Sequence, residues 1–245
     1  MTDKDRRVVI VTGASRGLGR AIALRFGAAG CRVVVNYRER ETEARTVADF
    51  ITRSGGEAVA IRADVCRQED VESMAGEALH RWGSIDVLVN NAGMTRDALA
   101  LRMEEEDWDS VLDTNLKGPF LCMRGVSRTM MQQRSGHIIS VASIAGVRGR
   151  EGQANYAASK AGLIGLTKAA AKELGRSNIQ VNCILPGYLT TDMGKAASER
   201  IVDKVVEENV LGRTSTAAEV AAFIHYLSFM QNVSGQVFNL DSRIL

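Results

Sequence analysis

The sequence lacks the features that mark membrane, secreted and zinc-binding proteins. No apolar run reaches the ~18 residues that a membrane-spanning helix needs, and residues 1–7, MTDKDRR, lack the apolar stretch of a signal peptide. The four cysteines and three histidines are scattered, and no CxxC pair occurs. We therefore expect no disulfide framework and no metal site, structural zinc included, in a reduced, cytoplasmic protein.

The charge balance gives little support to a role in nucleic-acid binding. Lys and Arg number 31 against 29 Asp and Glu, for a formal net charge of +2, and no dense basic block occurs. A protein that mainly holds nucleic acid would show a strong basic excess or a basic stripe. The chain also lacks linkers and low-complexity segments, so we predict one globular domain over residues 1–245.

Short apolar runs alternate with helical patterns along the chain. The runs are continuous in Val and Ile, which is typical of parallel strands covered on both faces. They predict seven strands, at 7–11, 31–36, 58–63, 85–89, 137–142, 179–185 and 236–240. The longest predicted helices lie at 105–131 and 154–174. We therefore predict an α/β fold, a doubly wound Rossmann-type sheet of seven parallel strands with helices on both faces.

The least regular part of the chain is 187–211. Its helix signals are weak and confined to 196–208, after the proline and glycine that follow the sixth predicted strand. Because irregular connections at a ligand site often close over the ligand, we predict that 187–211 is a mobile lid over the substrate.

A glycine-rich turn, TGASRGLG at 12–19, joins the first predicted strand to the first helix. At this point of a doubly wound sheet, glycine lets the backbone approach a pyrophosphate, and the helix N-terminus faces the anion. The spacing differs from GxGxxG, and a glycine-rich turn without a ligand is the alternative. The predicted cofactor contacts are Gly13, Ser15, Arg16, Gly17, Leu18 and Gly19.

The end of the second predicted strand favours NADPH as the cofactor. An enzyme that prefers NAD places Asp or Glu there for the ribose hydroxyl, whereas this strand ends VNYR, with no acid before Glu39. Arg38 and Arg16 can instead pair with a 2′-phosphate, through charge-assisted bonds of about 1.5–3 kcal/mol. Two exposed surface arginines are the alternative. Asp64 and Val65, after the third strand, are placed to meet the adenine.

Tyr156 and Lys160 stand at i and i+4 of a predicted helix, so their side chains share a face. An ammonium about 4 Å away favours the phenolate by ~4 kcal/mol at an effective dielectric of ~20. That corresponds to roughly three pKa units, so the tyrosine could exchange a proton near neutral pH. Ser143, at the end of the fifth predicted strand, is placed to bind the substrate oxygen. Alone, a Tyr-x-x-x-Lys pair is more often an ordinary helix surface.

With these motifs the chain resembles the short-chain dehydrogenase/reductases over essentially its whole length. Residues 12–19 look like the family's TGxxxGxG loop, and NNAG at 90–93 matches a second motif. Pro186 and Gly187 with Thr191 match its PG…T element. The residues at the positions of the family's catalytic tetrad are Asn115, Ser143, Tyr156 and Lys160.

The resemblance implies a role for each of these residues. Tyr156 would be the general acid, Ser143 would stabilise the developing oxyanion, and Lys160 would lower the tyrosine pKa and bind the nicotinamide ribose. Asn115 would hold a water that relays protons to Lys160. Further cofactor contacts are expected from Asn91, Ala92, Gly93, Tyr156, Lys160, Pro186, Gly187, Leu189 and Thr191, and substrate contacts from Ser143, Gln153 and Tyr156.

Three short segments resemble the corresponding segments of the family members that reduce 3-oxoacyl thioesters on acyl carrier protein in fatty acid synthesis. They are GMTRD at 93–97, QANY at 153–156 and PGYLTTDM at 186–193. This resemblance implies an NADPH-dependent enzyme, a carrier-protein partner and a homotetramer built on the long helices after the fourth and fifth strands.

The chain departs from that pattern in two places. His137 stands where carrier-docking reductases have an arginine, and Arg176 lies near their second docking position. LDSR at 240–243 replaces the usual Asp-Gly-Gly. A related reductase of an acyl-CoA, a small ketone or a sugar therefore remains an alternative, as does a non-catalytic dinucleotide-binding protein.

Overall fold

Within residues 6–189 and 199–244, which the computed structural model describes (199–201 by backbone alone), seven strands form one parallel sheet. The strands are β1 (Val8–Val11), β2 (Arg32–Tyr37), β3 (Glu57–Arg62), β4 (Val87–Asn90), β5 (Gly136–Val141), β6 (Ile179–Leu185) and β7 (Val237–Asn239). Their order is β3-β2-β1-β4-β5-β6-β7, and every neighbouring pair is parallel. The predicted doubly wound fold is confirmed.

Helices cover both faces of this sheet. They are α1 (Gly17–Ala28), α2 (Glu41–Arg53), α3 (Gln68–Trp82), α4 (Glu105–Leu112), α5 (Gly118–Gln133), α6 (Ala145–Arg148), α7 (Ala154–Leu174), α8 (Glu199–Glu208) and α9 (Ala217–Leu227). Alternate strand residues face opposite sides, so Val9 packs toward α1, α2 and α9, whereas Ile10 packs toward α3, α5 and α7. Burial on both faces explains why the strands are continuously apolar.

The sheet reverses its order at β1, whose neighbours are β2 on one side and β4 on the other. In such a sheet the crevice for a ligand opens outside the carboxyl ends of the strands at the reversal. The glycine-rich turn follows β1 at this edge, and the NNAG string begins at the end of β4. The fold therefore brings the two cofactor motifs together.

The predicted helix 105–131 is confirmed as helical along its length, but it contains a π turn that the sequence did not predict. A wider π turn at Asp113–Lys117 separates α4 from α5, which extends to Gln133. Pro119, at the start of α5, has no N–H to give to the carbonyl four residues earlier, so the α-helical pattern cannot run through it. Such turns are frequent at functional sites, and this one carries Asn115. Other predicted boundaries differ by one to three residues.

The predicted lid at 187–211 lies partly outside the described residues. Its first residues, through Leu189, and the helix Glu199–Glu208 are described, whereas 190–198 are not. The lid and the single domain therefore stay predictions. No helix among the described residues is long and apolar enough to cross a membrane, and all four cysteines are free.

Candidate active site and cofactor site

The glycine-rich turn fits a dinucleotide because its backbone is closely packed and leaves no room for side chains. Gly13 and Gly17 have φ angles of +62° and +56°, which favour glycine. A Cβ on Gly13 would lie 2.9 Å from the Cα of Ala92, and one on Gly19 would collide with the Gly13 carbonyl. The turn leads into the N-terminus of α1, whose free amides attract an anion. Ser15 and Leu18 are partly buried on this turn, and Arg16 is exposed.

Thr12, outside the set of predicted contacts, fixes this turn to the neighbouring strand. Its hydroxyl accepts hydrogen bonds from the N–H groups of Asn91 and Ala92, each at 3.0 Å. The Asn91 amide in turn donates to the carbonyls of Thr12 at 2.9 Å and Gly13 at 3.2 Å. Asn91 and Ala92 therefore hold the glycine turn in place. The signal for Thr12 was present, since it opens the TGxxxGxG string.

The end of β2 carries an uncharged, buried amide instead of an acid. Asn36 accepts a hydrogen bond from the Gly13 N–H at 3.1 Å and donates to the Ala63 carbonyl at 3.0 Å. It is 2% exposed, so it joins β2, β3 and the glycine turn as a structural link. Arg38 is exposed and forms an ion pair with Glu39 at 2.7 Å, which a stronger anion can displace because exposed pairs are weak.

The two residues predicted to meet the adenine, Asp64 and Val65, have different surroundings in the structure. The Asp64 carboxylate accepts a hydrogen bond from the Cys66 N–H at 2.9 Å and so shapes the turn after β3. Val65 is buried against α5, where a Cβ on Gly118 would lie 2.8 Å from its methyl group. Asp64 remains partly exposed at the carboxyl edge, whereas the Val65 side chain belongs to the core.

Asn115 is completely buried and supports the start of the loop after β4. Its amide oxygen accepts from the Met94 N–H and its amide nitrogen donates to the Met94 carbonyl, both at 2.9 Å. The nitrogen also donates to the Ser159 hydroxyl on α7 at 3.1 Å. A Cβ on Gly93 would lie 3.2 Å from the Asn115 oxygen and 3.6 Å from the Lys160 Nζ. The Asn115 side chain therefore positions the loop after β4. The water relay to Lys160 stays a prediction.

Lys160 lies one turn after Tyr156 on α7 and is 4% exposed. Its Nζ donates to the carbonyl of Val141, the last residue of β5, at 2.8 Å. Burial lowers its pKa to about 8, against a smaller opposing effect of the Cys183 thiol. The ammonium lies over the face of the Tyr156 ring, 5.6 Å from the ring centre.

Ser143 lies close enough to Tyr156 for its side chain to lower the tyrosine pKa, and the resemblance implies that the two residues share a substrate oxygen. Burial raises the pKa of Tyr156 above its ordinary value, and Ser143 only partly offsets that rise. The Lys160 ammonium faces the ring and is bonded to the Val141 carbonyl. The expected lowering of the tyrosine pKa by Lys160 stays a prediction.

The helix α6 sets the position of Ser143. Its Gly146 packs against the backbone of α7 so closely that a Cβ there would lie 2.7 Å from the Ala161 nitrogen. The Ser143 hydroxyl accepts the N–H of Ala145 at 3.2 Å, which fixes the serine to the start of α6. The approach of α6 to α7 thus brings Ser143 to Tyr156.

Gln153 precedes α7 and is held by an acid that sequence analysis did not place in the site. Its amide nitrogen donates to the Asp97 carboxylate at 2.8 Å, and the Ala98 N–H donates to the Gly152 carbonyl at 2.9 Å. Asp97 raises the pKa of Tyr156, whereas Arg150 lowers it. Asp97 ends the GMTRD string, which was its only signal.

The residues after β6 complete the carboxyl edge. Gly187 has a φ of +79°, and Leu189 packs with Leu18 against the core on the α1 side of the sheet. Pro186 is fully buried at the end of β6. Thr191, the remaining predicted cofactor contact, lies outside the described residues. Among the described residues, no cluster of three His, Cys, Asp or Glu side chains could hold a metal ion.

The amino-acid sequence is similar to those of known proteins. A family model described as short chain dehydrogenase matches residues 7–202. The chain is 45% identical to the 3-oxoacyl-[acyl-carrier-protein] reductase of Synechocystis sp., over 100% of this chain and 99% of that protein. It is 44% identical to the 3-oxoacyl-[acyl-carrier-protein] reductase FabG of Staphylococcus epidermidis, over 95% of this chain and 96% of that protein. It is 42% identical to the reductase FabG of Staphylococcus aureus, over 97% of this chain and 98% of that protein. The chain therefore belongs to the short-chain dehydrogenase family, whose members are oxidoreductases with a nicotinamide dinucleotide cofactor.

Proposed function

We propose that the protein reduces the 3-oxo group of an acyl thioester carried on acyl carrier protein, with NADPH as the reductant. The observation that carries the proposal is the grouping of Ser143, Tyr156 and Lys160 at the same sheet edge as the glycine turn. The relatives that bear the name of this reductase match essentially the whole chain. We expect the product to be the 3-hydroxyacyl thioester.

The chemistry of these residues follows from their protonation. NADPH, when bound, supplies the hydride that reduces the substrate carbonyl. Ser143 and Tyr156 donate hydrogen bonds to the carbonyl oxygen and so stabilise the charge that develops there. Tyr156 then gives up its proton to that oxygen. Because its pKa is raised, the tyrosine is fully protonated at neutral pH and is ready to act as the acid in the reductive direction.

The preference for NADPH over NADH rests on the charge at the end of β2. Asn36 offers no carboxylate to the ribose hydroxyl, whereas Arg38 and Arg16 are exposed and positively charged beside the glycine turn. A 2′-phosphate would replace Glu39 as the partner of Arg38. We expect Arg38→Ala to raise the KM for NADPH roughly tenfold to a hundredfold, with little change in the KM for NADH. An equal change for both cofactors would contradict this role.

Docking of the carrier protein is proposed at Arg134 and Arg176. The guanidinium of Arg134 donates to the Arg176 carbonyl at 3.4 Å, so the two residues adjoin at the amino edge of the sheet. His137 is not available for docking, because it is 5% exposed and burial lowers its pKa to about 4. This edge lies roughly 20 Å along β5 from Ser143, so the carrier has to deliver its acyl chain over that distance or to a neighbouring subunit.

A homotetramer and a cytoplasmic location also remain part of the proposal. Phe120 and Met131 on α5 are 43% and 48% exposed, which is expected of a helix that packs against a second subunit. Four free cysteines fit a reducing compartment.

The experiment that tests the proposal is NADPH consumption with an acetoacetyl thioester, presented in parallel on acyl carrier protein and on CoA. NADH is the cofactor control, and Tyr156→Phe should abolish turnover while it leaves NADPH binding nearly intact. Arg134→Ala with Arg176→Ala should raise the KM for the carrier-linked substrate alone. Turnover on CoA alone would favour the related CoA-thioester reductase. Wild-type rates for Tyr156→Phe would refute the mechanism.

A further inference from the structure

We propose that Arg243, in the C-terminal tail, is a positioning residue for the cofactor. The tail DSR at 241–243 packs under the Pro186-Gly187 turn and against the end of α8 at the same time. It thereby lies against both Gly187 and the residues at the end of α8. The inference rests on the proposed function only in taking a nicotinamide dinucleotide as the ligand beside Gly187.

The first contact of the tail is with Gly187. A Cβ on this residue would lie 3.0 Å from an oxygen of the Asp241 carboxylate and 3.1 Å from the Ser215 hydroxyl. Ser215 in turn donates to the carbonyl of Leu240 at 2.6 Å. The turn that follows β6 therefore lies next to the Asp241 carboxylate, with no room for a side chain between them.

Asp241 needs a counter-charge because its side chain is only 2% exposed. Arg243 supplies it, with Nε donating to Oδ2 at 2.8 Å and Nη2 contacting the same oxygen. The backbone N–H of Arg243 donates to Oδ1 at 3.0 Å. The guanidinium is itself 10% exposed, so the pair is held inside the protein and is not a surface ion pair.

The same tail reaches the end of α8. Nη1 of Arg243 lies 3.9 Å from the carboxylate of Glu208, the last residue of that helix. The Ser242 hydroxyl donates to the Asn209 side chain at 2.6 Å, and the Val210 N–H donates to the Ser242 carbonyl at 3.4 Å. Arg243 therefore contacts both the carboxylate beside Gly187 and the last residue of α8.

This arrangement distinguishes the chain from the Asp-Gly-Gly pattern, in which the two residues after the aspartate have no side chain to pair with it. In this chain the charge beside Gly187 is cancelled within the tail. We infer that loss of Arg243 has two effects. The unpaired Asp241 carboxylate lowers the stability of the protein, and the side chain at 241, no longer held by the guanidinium, lets Gly187 shift and so weakens binding of the dinucleotide.

The test compares Arg243→Gln, Arg243→Lys and the double variant Asp241→Asn/Arg243→Gln with the wild type. Dissociation constants for NADPH and NADH are measured by nucleotide fluorescence without acyl substrate, and Tm is measured on the same samples. Whichever dinucleotide the wild type binds more tightly is the probe, so an error in the proposed substrate or cofactor preference does not affect the test. Arg213→Gln, which alters an exposed arginine outside the tail, is the matched control.

We expect Arg243→Gln to raise the dissociation constant roughly tenfold, as for loss of a charged hydrogen bond, and Arg243→Lys to recover most of it. The double variant removes the unpaired carboxylate, so it should regain the Tm of the wild type without regaining its affinity. This split separates positioning from stability. Recovery of both Tm and affinity in the double variant would overturn the proposal, as would unchanged affinity in Arg243→Gln.

Discussion

Gly146→Ala tests whether the contact of α6 with α7 sets the catalytic geometry. The added Cβ would lie 2.7 Å from the Ala161 nitrogen and 2.7 Å from the Lys160 carbonyl carbon. Ordinary carbon contacts lie at about 3.5–4.0 Å, so α6 has to move away by about 1 Å. Overpacking of this kind costs about 1–3 kcal/mol of unfolding free energy.

The same displacement carries Ser143 away from Tyr156, since the serine is fixed to the start of α6 by its bond to Ala145. A misplacement of about 1 Å at a reacting centre can lower kcat on the order of a hundredfold. We expect a much smaller change in NADPH affinity, because Lys160 alone among the cofactor contacts adjoins the clash.

The assay is kcat at saturating NADPH, with nucleotide fluorescence for binding and urea unfolding for stability. The matched control is Gly76→Ala on α3, where a Cβ would meet nothing within 4 Å. That change should stabilise the protein by about 0.5–1 kcal/mol and leave kcat unchanged. The reasoning fails if Gly146→Ala retains the kcat and the stability of the wild type.

Three further predictions follow from other buried or packed positions. Burial lowers the pKa of His137 from 6.5 to about 4 in the folded protein, so the unfolding free energy should fall by up to about 3 kcal/mol as the pH drops from 6.5 to about 4. Urea unfolding at several pH values should show this loss in the wild type and not in His137→Gln. Asp97→Asn removes a charge that raises the pKa of Tyr156, so the alkaline limb of the kcat–pH profile should move to lower pH, and an unmoved limb would contradict this. Gly165→Ala on α7 should stabilise an isolated chain as Gly76→Ala does, because its Cβ also meets nothing within 4 Å; a loss of Tm together with dissociation in analytical ultracentrifugation would instead place Gly165 at a subunit contact.

The sheet was predictable because its signal is local. Each strand is a short run of Val and Ile that must be buried on both faces, as Val9 and Ile10 are, and such runs are visible in any window of the sequence. Turns rich in glycine mark where the chain leaves the sheet. The π turn before α5 was missed, although Pro119 was in view, because the apolar pattern continues across it.

The residues that we expect to react could be proposed from the sequence, since proton transfer and dinucleotide binding require particular residue types at fixed spacings. Tyr156 and Lys160 share a helix face because residues four positions apart on a helix are neighbours. The spacing did not reveal that the Lys160 ammonium is bonded to the Val141 carbonyl and faces the tyrosine ring. The direction of the tyrosine pKa shift depends chiefly on burial, which the spacing of a residue pair does not contain.

The positioning residues were the hardest to find because their partners are distant in the chain. Thr12 holds Asn91 and Ala92, Asp97 holds Gln153, and Arg243 neutralises the carboxylate beside Gly187. None of these side chains reacts, yet each holds backbone or a side chain next to the reacting groups. Since a displacement of about 1 Å at the reacting centre is enough to lower the rate, such contacts constrain the rate as well. The atypical tail is therefore a change in how this chain supports its cofactor site, and it leaves the residues of the chemistry unaltered.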